Sequence, residues 1–285
     1  MKDNGLIAQY KHAIDRFGFL NLGIIAPDKY LWKKVEPLGL CQGEFQGLFY
    51  AKECSLKKAE VEVLLSQIYP LFFKNSAIYL PTAKRSGEVS GVISDDVLKE
   101  DAVLMYDFIR SNGLPNGYAY GNNLSTEELM YRSYFENEAL KDFVLMHILD
   151  VGCGNVDRHA KNYGVEWKEV DGKQIITGLR LFDFGNARFY LDDFEPNSIL
   201  SRGQIFRNGL GGGTEVSRMN LINYFKESEL VQEFYTNSEI AEIVGNIDVH
   251  EHVCDIRDCL GFQITQKLED NLSGSLCEMA EQMMK

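Results

Sequence analysis

Three side chains whose types and order suit phosphoryl transfer lie in the second half of the chain. Asp157 begins the run Asp-Arg-His-Ala-Lys-Asn, which ends at Asn162, and Asp183 begins an Asp-Phe-Gly segment. In phosphoryl-transfer enzymes with this order, the first Asp accepts the proton of the attacking hydroxyl, and the Asn and the second Asp hold Mg²⁺ against the nucleotide phosphates. Carboxylate and amide oxygens are the ligands that Mg²⁺ prefers. The spacing therefore predicts ATP and Mg²⁺ as cofactors.

The sequence between Asn162 and Asp183 predicts how these two ligands meet. Residues 163–170 and 173–182 resemble strands, and the Asp-Gly pair between them is a favoured two-residue turn of a β-hairpin. A hairpin brings its two ends together. We therefore expect Asn162 and Asp183 to lie side by side at one rim of a sheet.

Lys52 has the setting of a lysine that contacts nucleotide phosphates. It ends an aromatic-rich, strand-like run, and a helix is expected after it because apolar residues recur at helical spacing, at positions 61, 64, 65 and 68. In protein kinases a strand lysine and a glutamate of the following helix align the phosphates. Glu60 is the first choice for this partner and Glu62 the second, because both lie near the predicted start of the helix.

Two glycine-bearing stretches flank that helix and strand. Residues 39–47 form a turn between two strand-like segments; such a turn allows close approach to phosphates, although it matches no standard phosphate-binding signature. Residues 87–94 resemble one more strand. We place the hinge between two lobes near Ser94, which makes Ser94 a candidate contact for the nucleotide.

The segment over residues 154–164 resembles the catalytic loop of HipA-like serine/threonine kinases and, more distantly, that of phosphatidylinositol 3- and 4-kinases, in which Asp-Arg-His and a downstream Asn recur. This resemblance implies that Asp157 is the catalytic base and that His159 shapes or charges the phosphate site. It also implies that Asn162 and Asp183 bind Mg²⁺.

The same resemblance, which extends over about residues 48 to 190 and is most specific from 155 to 188, gives two more residues a role. Lys52 would contact the nucleotide phosphates. Asn155 would brace the catalytic loop without touching the nucleotide.

The fold implied by the resemblance is an α+β, two-lobed, protein-kinase-like fold. The predicted division is a small, β-rich, nucleotide-binding lobe over 1–94 and a larger, mainly helical lobe over 95–285, which carries the catalytic loop (154–164) and the metal-binding segment (183–185). Amphipathic patterns predict helices in the larger lobe, at residues 240–244 and 276–283. A chain of 285 residues with 45% hydrophobic content can bury cores of that size.

Charge and hydropathy limit the classes of binding partner and the cellular location that we expect for this chain. A formal net charge of −13 argues against direct binding to nucleic acid, which needs clustered Lys and Arg. No signal-peptide pattern begins the chain, and no apolar run is long enough to span a membrane, so a cytoplasmic location is expected. The expected partners are a protein substrate or the chain itself, through autophosphorylation, and a regulatory protein is a further candidate.

Cysteines and loop hydroxyls give secondary hypotheses. The six cysteines form no Cys-x-x-Cys pair, so free thiols are expected, and Cys153 beside the catalytic loop is either redox-sensitive or an inert packed thiol. A zinc site competes with an ordinary helix where ligands cluster, at His250, His252, Cys254 and Cys259. Candidate phosphorylation sites lie where kinases keep an activation segment, at Ser198, Ser201 and Thr214.

The function predicted from the sequence is transfer of the γ-phosphoryl group of ATP to a hydroxyl, with Ser or Thr of a protein as the favoured acceptor. An enzymatic alternative is a small-molecule or lipid-headgroup phosphotransferase, because the same chemistry serves those acceptors. A non-enzymatic alternative is a nucleotide-binding pseudokinase or interaction module. The catalytic Asp157 disfavours that last alternative, since a protein that only binds has no chemical need for the base.

Overall fold

The computed structural model describes part of the chain, namely residues 33–35, 49–83, 89–95, 97–98, 102–114, 132–156, 158–185, 187, 205–206 and 216–285. These residues form a mixed α+β fold with small sheets and mostly helical content. They divide into two compact units: unit 1 is the part up to Val97 together with Val249–Glu269, and unit 2 is Leu98–Asp248 together with Asp270–Lys285.

The secondary structure elements are numbered here in chain order. The strands are β1 (Lys33–Val35), β2 (Phe49–Glu53), β3 (Leu80–Ala83), β4 (Val89–Asp95), β5 (Ala102–Leu104), β6 (Tyr163–Val170), β7 (Lys173–Leu181), β8 (Ile205–Phe206) and β9 (Val216–Ser217). The helices are α1 (Leu56–Ile68), α2 (Met105–Ser111), α3 (Asn137–Gly152), α4 (Arg218–Glu227), α5 (Glu229–Phe234), α6 (Asn237–Gly245), α7 (Val249–Leu260) and α8 (Gln266–Met284).

Unit 1 is built on a four-stranded antiparallel sheet with the strand order β1-β2-β4-β3. The strands predicted before and after the first glycine-bearing stretch are confirmed as β1 and β2, and the strand predicted over 87–94 is confirmed as β4. The turn at residues 39–47 lies outside the described residues.

Helix α1 follows β2, as the spacing of its apolar residues predicts. Ser55 caps its start, because the Ser55 side chain accepts a hydrogen bond from the backbone N–H of Lys58. A short 3-10 helix, Tyr69–Leu71, continues it. Helix α1 packs against β4 and also against α7. Residues 249–269, which the sequence analysis assigned to the larger lobe, therefore group with unit 1, while the functional division into lobes stays a prediction.

Unit 2 contains the predicted hairpin, which is confirmed. Strands β6 and β7 pair antiparallel from Tyr163 opposite Leu181 to Val170 opposite Lys173, and β5 pairs with the other edge of β6. The turn residues Asp171 and Gly172 have φ values of 52° and 75°. Left-handed conformations at both positions characterise a type I′ turn, whose twist matches that of the strands it joins.

Helix α3 is the central helix of unit 2, and it packs against β7, α4 and α6. Nearly every residue from Ala139 to Gly152 is buried. The next three helices each begin at a hydroxyl-bearing cap, and the last of these caps forms a capping box with Glu239; the caps are Ser217, Ser228 and Thr236. The predicted helices at 240–244 and 276–283 are confirmed as parts of α6 and α8.

Side chains of α4 and α8 satisfy the last carbonyls of α3. Arg218 donates to the carboxylate of Glu278 at 2.5 Å and to the carbonyl of Val151 at 3.2 Å. The hydroxyl of Ser275 donates to the carbonyl of Gly152 at 2.7 Å. Carbonyls at the end of a helix have no partner within the helix, so these contacts fix the point from which the following loop departs.

The structure bears only in part on the membrane expectation and on the segment after the Asp-Phe-Gly run. Among the described residues, no helix is long and apolar enough to cross a membrane. The segment after the Asp-Phe-Gly run is described only in the pairing of β8 with β9 and at Ala187. The candidate phosphorylation positions lie outside the described residues, at Ser198, Ser201 and Thr214.

Candidate active site

The hairpin of unit 2 brings two of the predicted metal ligands to one rim. Asn162 immediately precedes β6, and Asp183 follows β7 by two residues. Since Tyr163 and Leu181 are directly paired, the chain leaves both strands at the same end of the ladder. Asn162 and Asp183 are both buried, with 6% and 7% of their surfaces exposed.

A single buried guanidinium links the two sides of this rim. Arg158 donates through one terminal nitrogen to the carbonyl of Asn162 at 2.7 Å and to the carbonyl of Phe182 at 2.6 Å. It therefore binds the backbone at one candidate ligand and immediately before the other. Only 1% of the Arg158 surface is exposed.

The charge of Arg158 is matched by Asp150, in the last turn of α3. Its Nε donates to one carboxylate oxygen at 2.9 Å, and its second terminal nitrogen donates to the other at 3.0 Å. Two parallel bonds of this kind fix the relative orientation of a guanidinium and a carboxylate. The side chains of both residues have 0% exposure, so the pair is shielded from solvent.

The start of the catalytic loop is fastened to the same carboxylate. The side-chain amide of Asn155 donates to Asp150 at 2.9 Å, and the Asn155 backbone N–H donates to the Asp150 carbonyl at 2.8 Å. Asn155 also forms a bridge with Ala187, beyond the Asp-Phe-Gly segment. Asn155 thus occupies the bracing position that the resemblance implied.

The backbone at Asp183 adopts an uncommon conformation. Its φ is +58°, in the left-handed region, where residues other than glycine are disfavoured by about 1–2 kcal/mol and Asp is among the better tolerated. The following Phe184 is fully buried, and its ring lies 5.5 Å from the guanidinium carbon of Arg158. Contacts on both sides of Asp183 therefore hold the strained residue in place.

The catalytic base predicted at Asp157 lies outside the described residues. Next to it, His159 is half-buried, and its Nδ1 accepts a hydrogen bond from the backbone N–H of Lys161 at 3.2 Å. In a neutral imidazole that accepts at Nδ1, the proton is on Nε2. The role expected of His159 at the phosphates stays a prediction.

Two titratable groups beside this network are kept neutral by burial. His147, one turn before Asp150, has its pKa lowered to about 4 by burial, with the charge of Asp150 opposing the change and that of Arg158 adding to it. Within the described part of the chain, neither ring nitrogen of His147 has a hydrogen-bond partner. Burial also raises the pKa of the Cys153 thiol. Cys153 thus matches the inert packed thiol rather than the redox-sensitive one.

The remaining predicted site residues lie in unit 1. Lys52 is in β2, opposite Val92 of β4. Ser94 is in β4 and is 2% exposed. Their contacts with a nucleotide stay predictions.

Glu60, the first choice as the partner of Lys52, is buried in α1 and hydrogen-bonded elsewhere. One of its carboxylate oxygens accepts from the hydroxyl of Thr265 at 2.9 Å and from the Thr265 backbone N–H at 3.3 Å. Burial raises the pKa of Glu60, and these hydrogen bonds and Lys57 oppose the change. Glu62, the second choice, has 0% exposure. A carboxylate so deeply buried needs a donor or a cation beside it.

Two oxygen-bearing side chains at one buried rim fit Mg²⁺, which takes oxygen ligands and usually keeps waters and phosphate oxygens in its remaining positions. Among the described residues there is no cluster of three or more His, Cys, Asp or Glu side chains that would hold a metal ion by itself. The zinc hypothesis for residues 250–259 therefore gains no support. Asn162 and Asp183 are suited to a metal that a nucleotide helps to hold.

Asp150 and the role of Arg158 were not predicted from the sequence, although a signal was present. Asp150 lies in the last turn of a helix that is otherwise apolar from Phe143 to Val151 except for one histidine, so its burial was to be expected. A buried carboxylate predicts a buried cationic partner. The nearest arginine after it is Arg158.

No protein-family model and no curated protein sequence matches this chain. Among solved structures, it is similar to the Helicobacter pylori proinflammatory kinase CtkA, with a TM-score of 0.51 and 16% identity over 83% of this chain and 87% of that one. It also matches a chain of the Shewanella oneidensis MR-1 complex of HipA, HipB and operator DNA, with a TM-score of 0.48 and 11% identity over 83% of this chain and 57% of that chain. The similarity to the kinase CtkA confirms the predicted kinase-like fold at a coarse level.

Proposed function

We propose that this protein is an ATP- and Mg²⁺-dependent kinase of the HipA-like type, which transfers the γ-phosphoryl group to Ser or Thr of a protein. The observation that carries the proposal is the Arg158 network, which binds the backbone at Asn162 and immediately before Asp183. The proposal assigns the two-lobed arrangement of a kinase to this chain, with unit 1 as the nucleotide-binding lobe and unit 2 as the catalytic lobe.

The site residues then have roles that follow from their chemistry. Asp157 accepts the proton of the acceptor hydroxyl as it attacks, and His159 donates a hydrogen bond to a phosphate oxygen. Asn162 and Asp183 would hold Mg²⁺, which when bound would neutralise charge on the phosphates. Because protein contacts already fix the backbone at both ligands, little ordering remains when the nucleotide binds.

Arg158 is a positioning residue in this scheme and does not contact phosphate. At least four of its five N–H groups are donated to Asp150 and to two backbone carbonyls. Its charge is matched by a buried carboxylate. The positive charge at the phosphates must therefore come from other residues.

Lys52 is the proposed source of that charge, and a glutamate of α1 is its proposed partner. Thr265 already engages Glu60 through two hydrogen bonds. Glu62 is fully buried in the same helix. Both glutamates therefore stay candidates for this partner, with Glu60 as the first choice and Glu62 as the second. Ser94 remains the proposed nucleotide contact at the hinge.

The proposed acceptor is a hydroxyl of a separate protein or of this chain. A regulatory partner protein and a cytoplasmic location belong to the same proposal, and the net charge of −13 disfavours nucleic acid as a direct partner. Candidate positions for autophosphorylation are Ser198, Ser201 and Thr214.

The test is transfer of labelled γ-phosphate from ATP with Mg²⁺, with the protein itself and a generic protein mixture as acceptors. Asp157→Ala should abolish transfer and leave the fold intact, whereas Asp183→Asn should also weaken binding of the Mg²⁺–nucleotide complex. Asp171→Asn is the matched control, because Asp171 and Asp183 both have positive φ, at 52° and 58°, and Asn tolerates that conformation. Only the substitution at position 183 removes the negative charge of a proposed Mg²⁺ ligand.

Label that appears on protein with wild type and Asp171→Asn but not with Asp157→Ala would support the proposal. Transfer that persists in Asp157→Ala would overturn the assignment of the base. ATP consumption that requires an added metabolite, with no protein labelled, would indicate a small-molecule phosphotransferase. Nucleotide binding without any turnover would indicate a pseudokinase.

A further inference from the structure

A cysteine, a histidine and a glutamate form a hydrogen-bonded series in unit 1, and none of the three is a proposed phosphoryl-transfer residue. The Sγ of Cys254 lies 3.5 Å from the Nε2 of His250, which is one turn earlier on α7. The other ring nitrogen of His250, Nδ1, lies 2.7 Å from a carboxylate oxygen of Glu269 in the first turn of α8. Each nitrogen of the imidazole therefore has one protein partner.

The glutamate determines which nitrogen of His250 carries the proton. An ionised carboxylate only accepts hydrogen bonds, so Nδ1 must be the donor to Glu269. In the neutral ring, Nε2 then has a free lone pair, and this is the nitrogen that contacts Cys254. A nucleophile, a base within reach of it and a third group that orients the base form the arrangement by which enzymes activate a thiol.

Among the described residues, no group of three or more His, Cys, Asp or Glu side chains could hold a metal ion. The contacts of His250 are the hydrogen bond with Glu269 and the contact with the thiol of Cys254. The cluster is nevertheless open to small solutes, because the side chain of His250 is 74% exposed and Cys254 is half-buried. The side chain of Glu269, which pairs with the imidazole, is only 11% exposed.

A cation also lies near the sulfur. Arg257 is three residues after Cys254 on α7 and is exposed. Its pKa is raised first by its hydrogen bond and charge contact with Asp258, and Cys254 adds to this in the same direction. Neighbouring histidine and arginine side chains favour the thiolate form of a cysteine, which is the form that reacts.

We propose that Cys254 is a site of thiol–disulfide exchange, activated by His250 and Glu269, that takes up small disulfides. The Nε2 of His250 accepts the thiol proton, and the resulting thiolate attacks one sulfur of the disulfide. A new S–S bond to Cys254 forms as the original S–S bond breaks. The departing thiolate takes the proton from the imidazolium, so the products are a mixed disulfide on Cys254 and one free thiol.

The expected advantage in rate can be bounded. A thiol with the ordinary pKa of about 8.5 is about 3% ionised at pH 7, so complete ionisation would raise the thiolate fraction about thirtyfold. A more readily ionised thiol is also a weaker nucleophile, which offsets part of this gain. We expect Cys254 to react about tenfold faster than an ordinary thiol of similar exposure.

The experiment exposes the reduced full-length protein to glutathione disulfide at neutral pH and follows each cysteine by mass spectrometry. Cys259 is the internal control, because it is on the same helix and is also half-buried. Cys153 is fully buried and reports any unfolding. The assay needs no nucleotide, so its outcome is independent of the proposed kinase activity.

In the wild type, Cys254 should react about tenfold faster than Cys259, and dithiothreitol should reverse the modification. His250→Ala should reduce the rate at Cys254 to that at Cys259, and Glu269→Gln should reduce it several-fold, with Cys153 unreactive throughout. Equal rates at Cys254 and Cys259 in the wild type would overturn the proposal. An unchanged rate at Cys254 in a folded His250→Ala or Glu269→Gln variant would also overturn it.

Discussion

Replacement of Arg158 tests whether one buried guanidinium holds the candidate active site together. In Arg158→Met the apolar stem is largely kept, but the Asp150 carboxylate, whose side chain has 0% exposure, loses its cation. Removal of one partner from a buried ion pair costs about 3–5 kcal/mol, because the other charge stays buried without compensation. We expect a loss of that size in the free energy of unfolding of unit 2.

A double variant separates the charge from the rest of the network. Arg158→Met combined with Asp150→Leu removes both charges of this buried pair, so it should lose less stability than the sum of the two single variants, by about 2 kcal/mol or more. It would not restore the wild type. The carbonyls of Asn162 and Phe182 and the amide of Asn155 would each lose a partner, at about 1 kcal/mol apiece.

Urea denaturation followed by circular dichroism gives the overall stability, and accessibility of the buried Cys153 thiol reports unit 2 in particular. The matched control is Arg132→Met. Arg132 pairs with Glu233 at 2.7 Å, but both side chains are about two-fifths exposed, at 41% and 42%. An exposed pair of this kind is worth about 0.2–1 kcal/mol.

Two results would refute this reasoning. One is a loss in Arg158→Met that is no greater than the loss in Arg132→Met. The other is a double variant whose loss equals the sum of the single losses. The reasoning also predicts that phosphate transfer stays impaired in the double variant even where stability recovers, because the bonds to the carbonyls of Asn162 and Phe182 are absent.

Two further predictions concern buried groups. Burial lowers the pKa of His147 to about 4 in the folded chain, so the unfolded chain binds a proton more readily, and the free energy of unfolding should fall by about 2 kcal/mol between pH 7 and pH 5. Urea titrations of His147→Leu should show this part of the pH dependence removed. An unchanged pH dependence in that variant would contradict the assignment to His147. Gly164→Ala places a Cβ 2.2 Å from a side-chain carbon of Leu98 and 3.1 Å from the carbonyl of Val103, so it should destabilise unit 2 by about 1–3 kcal/mol. Gly245→Ala is the control, because its Cβ would meet Ala280 at an ordinary contact distance of 3.5 Å, and it should be neutral or stabilising by up to about 1 kcal/mol. Equal changes in stability in the two variants would show that the contact with Leu98 does not cause the destabilisation in Gly164→Ala.

The features that sequence predicted well are those determined by neighbouring residues. The hairpin after Asn162 follows from alternation and from an Asp-Gly turn, whose backbone requirement few other residue pairs meet. Helix α1 follows from the spacing of its apolar residues. These local signals sufficed to place Asn162 and Asp183 at one rim, because the two strands of a hairpin are paired from the turn to their open ends.

The features that sequence did not predict depend on contacts between distant segments. Glu60 was the first choice as the partner of Lys52 because it lies at the start of α1, yet its hydrogen bonds come from Thr265, over two hundred residues away. Periodicity identifies a buried helix face but not the element that covers it. The same limit applies to the cluster on α7, because Glu269, which pairs with His250, belongs to the next helix, α8.

Arg158 shows why a motif can be recognised while its physical basis is missed. An arginine beside the predicted base Asp157 suggests a role at the phosphates. The charge of Arg158 is instead matched by Asp150, and two of its hydrogen bonds go to the backbone carbonyls of Asn162 and Phe182. A free guanidinium at the rim would bind any anion. A guanidinium held in this way instead fixes the backbone at Asn162 and immediately before Asp183, the two proposed Mg²⁺ ligands. Preorganisation of that kind lowers the entropic cost of assembling the site, and it follows from burial rather than from the presence of a metal.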